Sequence, residues 1–222
     1  MLPRVLTDLL DFHAPLSAVQ REQGGVVTLL TPGVNVLALN ATFLPADISG
    51  VDVAAVLDWH EGQGAPPLVA TAGPLLTLPG REVARVHVTH GASARGAVGE
   101  GVAVEQVSRL HLGPWAEALA RVHGTPGWGP GLARQLAARL DGRRDFVPLS
   151  AYRVGEVVGA LLWQARPAGG AAHLWGAADP AVEGALRRAA SELGGEMNWS
   201  ATADESDDPD MGEMVHYSLL HL

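Results

Sequence analysis

The chain has 222 residues, of which 47% are hydrophobic and 18% are charged, with no cysteine and a formal net charge of −9. This is the composition of a globular protein with enough apolar material for one large domain or two small ones. The lack of cysteine excludes disulfides, thiolate nucleophiles and cysteine-ligated metal centres. The acidic balance argues against general nucleic-acid binding, which depends on clustered basic side chains.

The sequence also bears on the cellular location of the protein. The N-terminal residues lack the pattern of a secretion signal, and no window reaches the roughly 18 uninterrupted apolar residues that span a bilayer. We therefore expect a cytoplasmic protein whose partners include neither membranes nor nucleic acid.

The first hundred residues carry alternating helix and strand patterns, separated by glycine and proline. Apolar residues at helical spacing predict helices, and β-branched runs predict strands. The elements predicted in order are a helix over 4–13, a hairpin of strands 26–30 and 34–44 joined through Thr31-Pro32-Gly33, a helix over 53–60, and strands over 68–72 and 83–88.

The second part of the chain has the clearer pattern, with a two-residue turn, Val154-Gly155, between two long strands. Loops are predicted at 90–96 and in the acidic segment 204–210. The predicted elements are a strand over 102–110, helices over 115–122 and 132–140, strands over 146–153, 156–164 and 172–176, a helix over 180–193, and strands over 197–200 and 214–222.

The two ends of the chain share an order of elements: a hairpin, a helix and a short strand. The two short strands also end in similar letters, Val-Ala-Thr-Ala at 69–72 and Ser-Ala-Thr-Ala at 200–203. This predicts an ancient tandem repeat, with two independent α/β units as the alternative. We expect domains at 1–100 and 101–222.

Residues 152–160, Tyr-Arg-Val-Gly-Glu-Val-Val-Gly-Ala, together with the strand and helix that follow, resemble a hairpin of the GNAT N-acyltransferases. The resemblance implies an α/β (α+β) fold with a mixed, mostly antiparallel sheet flanked by helices. In that fold the sheet splays open beside its central strand and admits acyl-CoA. Residues 1–100 would form a partial, degenerate second copy.

The resemblance implies acetyl-CoA as the cofactor and a set of backbone and side-chain positions that would bind it. The pantetheine arm would run along Leu174, Trp175 and Gly176, and the helix start would face the phosphates. The cofactor-binding residues implied in this way are Leu174, Trp175, Gly176, Ala177, Ala178, Asp179 and Ala181.

The segment where the family has a glycine-rich phosphate loop, [QR]-x-x-G-x-[GA], reads Trp175-Gly-Ala-Ala-Asp-Pro-Ala-Val182 here. Asp179 is a natural N-cap, and Pro180 suits the first position of a helix. A capping carboxylate would occupy the N–H groups that bind a phosphate, and its charge would repel a pyrophosphate. Proline also removes one donor. The sequence therefore predicts a helix start that caps itself.

No catalytic residue is assigned. Glu156 follows a hairpin glycine, which favours an exposed turn residue, and the two tyrosines, Tyr152 and Tyr217, lie near a turn and in the terminal strand. His87 and His90 form a close pair but would point to opposite faces of a strand, so no metal site is predicted.

Two functions stay open from the sequence, and with them the question of whether the chain is an enzyme. One is an acyl-CoA-dependent N-acyltransferase with a non-standard pyrophosphate loop. The alternative is a non-catalytic GNAT-fold binding or assembly module that does not use acyl-CoA. A homodimer is compatible with both.

Overall fold

The structure of the chain, a computed structural model, describes residues 1–75, 78–92, 101–203 and 212–221. Its helices are α1 (Arg4–His13), α2 (Val53–Gly62), α3 (Leu112–Val122), α4 (Gly129–Arg139) and α5 (Pro180–Gly194). Its strands are β1 (Val19–Gln23), β2 (Val26–Leu30), β3 (Ala41–Phe43), β4 (Leu68–Thr71), β5 (Gly80–Ala92), β6 (Ala103–Gln106), β7 (Phe146–Arg153), β8 (Glu156–Arg166), β9 (Gly169–Ala177), β10 (Met197–Thr202) and β11 (Glu213–Leu220).

The chain divides into two compact units. The first contains Met1–Val88 together with Ala201–Leu222, and the second contains Thr89–Ser200. The C-terminal strand β11 belongs to the first unit because it pairs with both β4 and β5. The sequence-based division at residue 100 assigned the C-terminal segment to the second domain, whereas in the structure Ala201–Leu222 belongs to the first unit.

In the first unit the strands follow the order β1-β2-β3-β4-β11-β5. All neighbours are antiparallel except β3 and β4, which run parallel because α2 connects them. Alternating residues face opposite sides of the sheet. One face packs against α1 through Leu6, Leu29 and Tyr217, and the other packs against α2 through Val56 and Val69.

In the second unit the strands follow the order β6-β7-β8-β9-β10. The first three pairs are antiparallel, while β9 and β10 are parallel and connected by α5. Two glycines set the distance of the helices from this sheet. A Cβ at Gly159 would meet the Val182 side chain of α5, and one at Gly176 would meet the Leu119 side chain of α3. Ala160 pairs with Gly176, so these two residues face the same side of the sheet, and Gly159, next to Ala160, faces the other side. The helices α5 and α3 therefore cover opposite faces of the sheet.

The predicted strand over 34–44 is wrong for most of its length. Only Ala41–Phe43 is a strand, and Leu37–Leu39 is a 3-10 helix. The Asn40 side chain explains the irregular path, because its Oδ1 accepts from the Thr31 N–H and its Nδ2 donates to the Val34 carbonyl (2.9 and 2.7 Å). The hairpin partner of β2 is instead β1, joined through Gly24-Gly25.

The other predicted elements occur with shifted ends. The strand predicted over 102–110 stops at Gln106 and is followed by the 3-10 helix Arg109–His111, while β5 and β9 are longer than predicted. The predicted acidic loop, 204–210, and most of the predicted loop at 90–96 lie outside the described residues. Within the described ranges, no helix is both long enough and apolar enough to cross a membrane.

Candidate functional site

The hairpin of β7 and β8 holds Arg153 next to the start of α5. Its two-residue turn has positive φ at both positions, 52° at Val154 and 80° at Gly155. This is the requirement of a type I′ turn, which matches the twist of the strands it joins. Arg153 pairs with Glu156 across the turn, which places Arg153 at the end of β7.

The start of α5 is fully capped by Asp179. The Asp179 Oδ1 accepts from the N–H groups of Ala181 and Val182, both at 3.0 Å. The next N–H, that of Glu183, donates to the Asp179 carbonyl at 3.1 Å. Pro180 occupies the first helical position and has no N–H. The prediction that this helix caps itself is confirmed.

The Asp179 carboxylate is also held by Arg153, whose Nη1 donates to Oδ2 at 2.6 Å and whose Nη2 donates to Oδ1 at 3.3 Å. This two-bond contact is the strongest geometry between a guanidinium and a carboxylate. The Arg153 hydrogen bonds, followed by the Val182 N–H, lower the pKa of Asp179 to about 2. In return, the pKa of Arg153 is raised. Both groups are therefore ionised at neutral pH.

The parallel strands β9 and β10 separate partway along their length. Their register joins Gly170–Ala172 to Met197–Trp199, and beyond these residues the described parts of the two strands no longer pair with each other. The gap is filled by Trp175, whose indole lies 4.3 Å from the Trp199 ring between centroids and whose Nε1–H donates to the Ser200 carbonyl. Trp199 is 2% exposed and carries the Arg187 guanidinium on its ring at 4.7 Å.

The main chain of Trp175 is engaged as well. His123, just past the end of α3, donates from Nε2 to the Trp175 carbonyl at 2.9 Å. Three residues further along the chain, the Ala178 N–H donates to the Val158 carbonyl at 3.0 Å. The end of β9 is thus hydrogen-bonded within the unit itself.

The structure brings the predicted cofactor-binding residues together at the end of β9 and the start of α5. Those on β9 are Leu174, Trp175, Gly176 and Ala177, and those at the helix start are Ala178, Asp179 and Ala181. Sequence reasoning missed the partners that hold this segment, Arg153 and His123. Arg153 was part of the motif that carried the family resemblance, but no sequence pattern predicted its contact with Asp179.

The side chains considered for acid–base chemistry do not converge on this place. Glu156 is exposed, as its position after the turn predicted. Tyr217 lies in the core of the first unit, and burial raises the pKa of its hydroxyl above its ordinary value. Among the described residues no group of three or more histidine, aspartate or glutamate side chains is arranged to hold a metal ion.

No protein-family model matches the chain, and no curated protein is significantly similar to it in sequence. Solved structures that are similar in fold include the following three. A GCN5-related N-acetyltransferase from Kribbella flavida matches with a TM-score of 0.62 at 14% identity over 98% of this chain and 94% of its own. A functionally unknown conserved protein from Staphylococcus epidermidis matches with a TM-score of 0.57 at 12% identity, over 90% and 92%. A GCN5-related N-acetyltransferase from Sphaerobacter thermophilus matches with a TM-score of 0.52 at 17% identity, over 80% and 71%. The chain has the fold of the GCN5-related N-acetyltransferase (GNAT) superfamily.

Proposed function

We propose that the chain is a non-catalytic GNAT-fold binding protein whose second unit does not hold acyl-CoA at the start of α5. The observation that carries this proposal is the double engagement of Asp179, which caps the helix and pairs with Arg153. A resemblance in fold alone does not establish an activity, because function depends on the residues of the site.

The backbone donors that would bind a pyrophosphate are already used. Pro180 has no N–H, and those of Ala181 and Val182 go to the Asp179 carboxylate. The helix dipole at this end favours an anion, and Asp179 already supplies one. A phosphate would have to displace a carboxylate that is held by charge-assisted hydrogen bonds.

The passage for the pantetheine arm is filled in the same way. The indole of Trp175 occupies the gap between β9 and β10, and the Trp175 carbonyl accepts from His123. A ligand running along β9 would need to break both contacts. The arrangement therefore supports a binding module over an enzyme that uses acyl-CoA in the manner of its fold relatives.

The second candidate is an acyl-CoA-dependent N-acyltransferase with a non-standard pyrophosphate loop. It is favoured by the opening between β9 and β10 past Ala172 and Trp199, and by the likeness to proteins described as N-acetyltransferases. In this candidate Arg153 would release Asp179 and pair with the cofactor phosphates. Acetyl-CoA would be the cofactor, with the β9–α5 segment as its site.

We further infer that the two units arose by tandem duplication. Each contains a hairpin with a glycine-containing turn, a third antiparallel strand, a helix capped by an aspartate, and a strand parallel to the third. The capping residues are Asp52 and Asp179. A cytoplasmic location and a homodimer stay predictions.

Acetyl-CoA distinguishes the two candidates in a thermal unfolding experiment. A ligand present at 100 times its Kd stabilises a protein by about 2.7 kcal/mol, which is several degrees for a chain of this size. We expect millimolar acetyl-CoA to leave the Tm unchanged. A rise in Tm, followed by release of free CoA thiol with an amine acceptor, would overturn the proposal in favour of the acyltransferase.

A further inference from the structure

The first unit contains a groove between the β1–β2 hairpin and the start of α2. The groove has a volume of about 90 Å³ and is partly open to solvent. Val26, Val51 and Val56 give it an apolar wall, and its polar lining includes Arg21, Thr28 and Asp52. Because Arg21 and Thr28 pair directly across the hairpin, their side chains face the same side of the sheet, toward α2.

Arg21 is positioned to bind an anion. Its guanidinium stacks 4.6 Å from the centroid of the Trp59 ring and donates to the Gln23 side chain. No ion pair joins Arg21 to a carboxylate anywhere in the described parts of the chain. The guanidinium group is planar and presents several N–H donors in one fork, the geometry that matches a carboxylate.

Thr28 presents a hydrogen-bond acceptor to the same groove. Its hydroxyl is buried and contacts the Thr42 hydroxyl at 2.7 Å, which in turn contacts His60 Nε2 at 2.9 Å. Either hydroxyl could donate in the contact between Thr28 and Thr42. A hydroxyl oxygen has two lone pairs, so Thr28 keeps at least one of them for a ligand in the groove in both cases.

Asp52 supplies the negative charge. It is exposed at the start of α2, where its Oδ1 accepts from the Ala55 N–H at 3.0 Å. Its Oδ2 accepts no hydrogen bond from the described residues, and the carboxylate forms no ion pair with Arg21. The groove thus offers one cation and one anion that do not neutralise each other, beside an apolar wall.

We propose that this groove binds a free aliphatic α-amino acid. The ligand carboxylate pairs with Arg21, its ammonium donates to Asp52 and Thr28, and its side chain packs on Val26 and Val56. The groove lies wholly within the first unit. The proposal therefore holds whether or not the second unit binds acetyl-CoA.

Calorimetric titration of the full chain with L-leucine and two truncated analogues tests the ligand chemistry. The analogue 4-methylpentanoate lacks the ammonium, and 3-methylbutylamine lacks the carboxylate. Each loses one charge-assisted contact, so we expect each to bind about tenfold or more weakly than L-leucine. Equal affinity for all three compounds, or no binding of L-leucine at about 10 mM, would overturn the proposal.

Arg21→Met is the matching variant, with Arg4→Met on the exposed start of α1 as its control. Each removes one arginine from the same unit, but Arg4 lies outside the groove. We expect Arg21→Met to weaken L-leucine about tenfold or more and Arg4→Met to leave its affinity unchanged. Unchanged affinity in Arg21→Met would contradict the site. Should that variant fail to fold, the analogue series on the natural chain decides alone.

Discussion

The two units differ at one equivalent position, the point where the hairpin faces the start of the helix. In the second unit this position is Gly159, the third pair from the turn, and a Cβ there would lie 2.5 Å from Val182 Cγ1. In the first unit the third pair carries Thr28, whose hydroxyl enters a buried hydrogen-bonded chain. In the second unit α5 packs directly on the sheet at this position, while in the first unit a groove remains between the sheet and α2.

The two pairs of parallel strands differ in the opposite sense, because here the first unit is closed and the second unit is open. In the first unit β3 and β4 stay paired to their ends, and the Leu44 N–H continues the pairing to the Ala70 carbonyl at 3.0 Å. In the second unit β9 and β10 separate, and the Trp175 indole fills the gap. The two units thus share an order of elements but open at different positions, between the hairpin and the helix in the first unit and between the parallel strands in the second. The gap that was proposed to admit a pantetheine arm lies in the second unit, and the Trp175 indole fills it.

The largest effect is expected from Trp199→Ala. The variant removes a buried ring that packs between Trp175 and Arg187, and substitutions of this kind cost about 3–5 kcal/mol. Urea unfolding monitored by circular dichroism measures the loss. Leu110→Ala in the same unit is the control, because that side chain is 92% exposed and its removal should cost less than about 0.5 kcal/mol. Similar losses in both variants would contradict the account of a filled gap.

Gly159→Ala tests the close packing of α5 on β8. The added methyl group must displace Val182 or Leu186, and overpacking of this kind costs about 1–3 kcal/mol. Gly127→Ala, in the same unit, has open space around the new Cβ and should be close to neutral. A gain in stability at position 159 would mean that the helix is not packed against the strand as described.

Acid should destabilise both units through buried histidines. Burial lowers the pKa of His60 in the first unit, and burial, with Arg166 and His90, lowers that of His173 in the second. Below the unfolded pKa of about 6.5 the unfolded chain binds protons that the folded chain does not, so stability falls as pH falls.

Each histidine contributes a slope of up to about 1.4 kcal/mol per pH unit between about pH 6.5 and its lower folded pKa. Urea unfolding from pH 7 to pH 5 measures the slope. His60→Asn should reduce the slope by up to about 1.4 kcal/mol per pH unit, which corresponds to one proton. An unchanged slope would show that His60 is not held neutral in the folded protein.

The smallest effect is expected at the two turns. Val154 has a φ of 52°, which favours glycine, while the first unit has Gly24 at the corresponding place with a φ of 60°. Val154→Gly should therefore stabilise the protein by about 1 kcal/mol, and Gly24→Val should destabilise it by about as much. Thermal unfolding of the two variants compares them, and effects of the same sign would contradict the equivalence of the turns.

Local patterns predicted most of the elements because they depend on neighbouring residues. The tight turn at Val154-Gly155 and the cap at Asp179 are examples, and both occur. Contacts between distant residues could not be predicted in this way. The pair of Arg153 with Asp179, the hydrogen bond from His123 to Trp175, and the pairing of β11 with β4 join segments far apart in the chain. The hydrogen bonds of the Asn40 side chain likewise interrupt the strand predicted over 34–44, and the spacing of apolar residues does not reveal such bonds.

The central claim is that the Asp179 carboxylate prevents cofactor binding in the second unit. Asp179→Asn tests it, because asparagine also caps a helix but carries no charge and leaves Arg153 available. Calorimetric titration with acetyl-CoA compares this variant with the natural chain. We expect no binding to the natural chain at about 1 mM acetyl-CoA and a measurable Kd in the variant. Tight binding to the natural chain, or weaker binding to the variant than to the natural chain, would contradict the account.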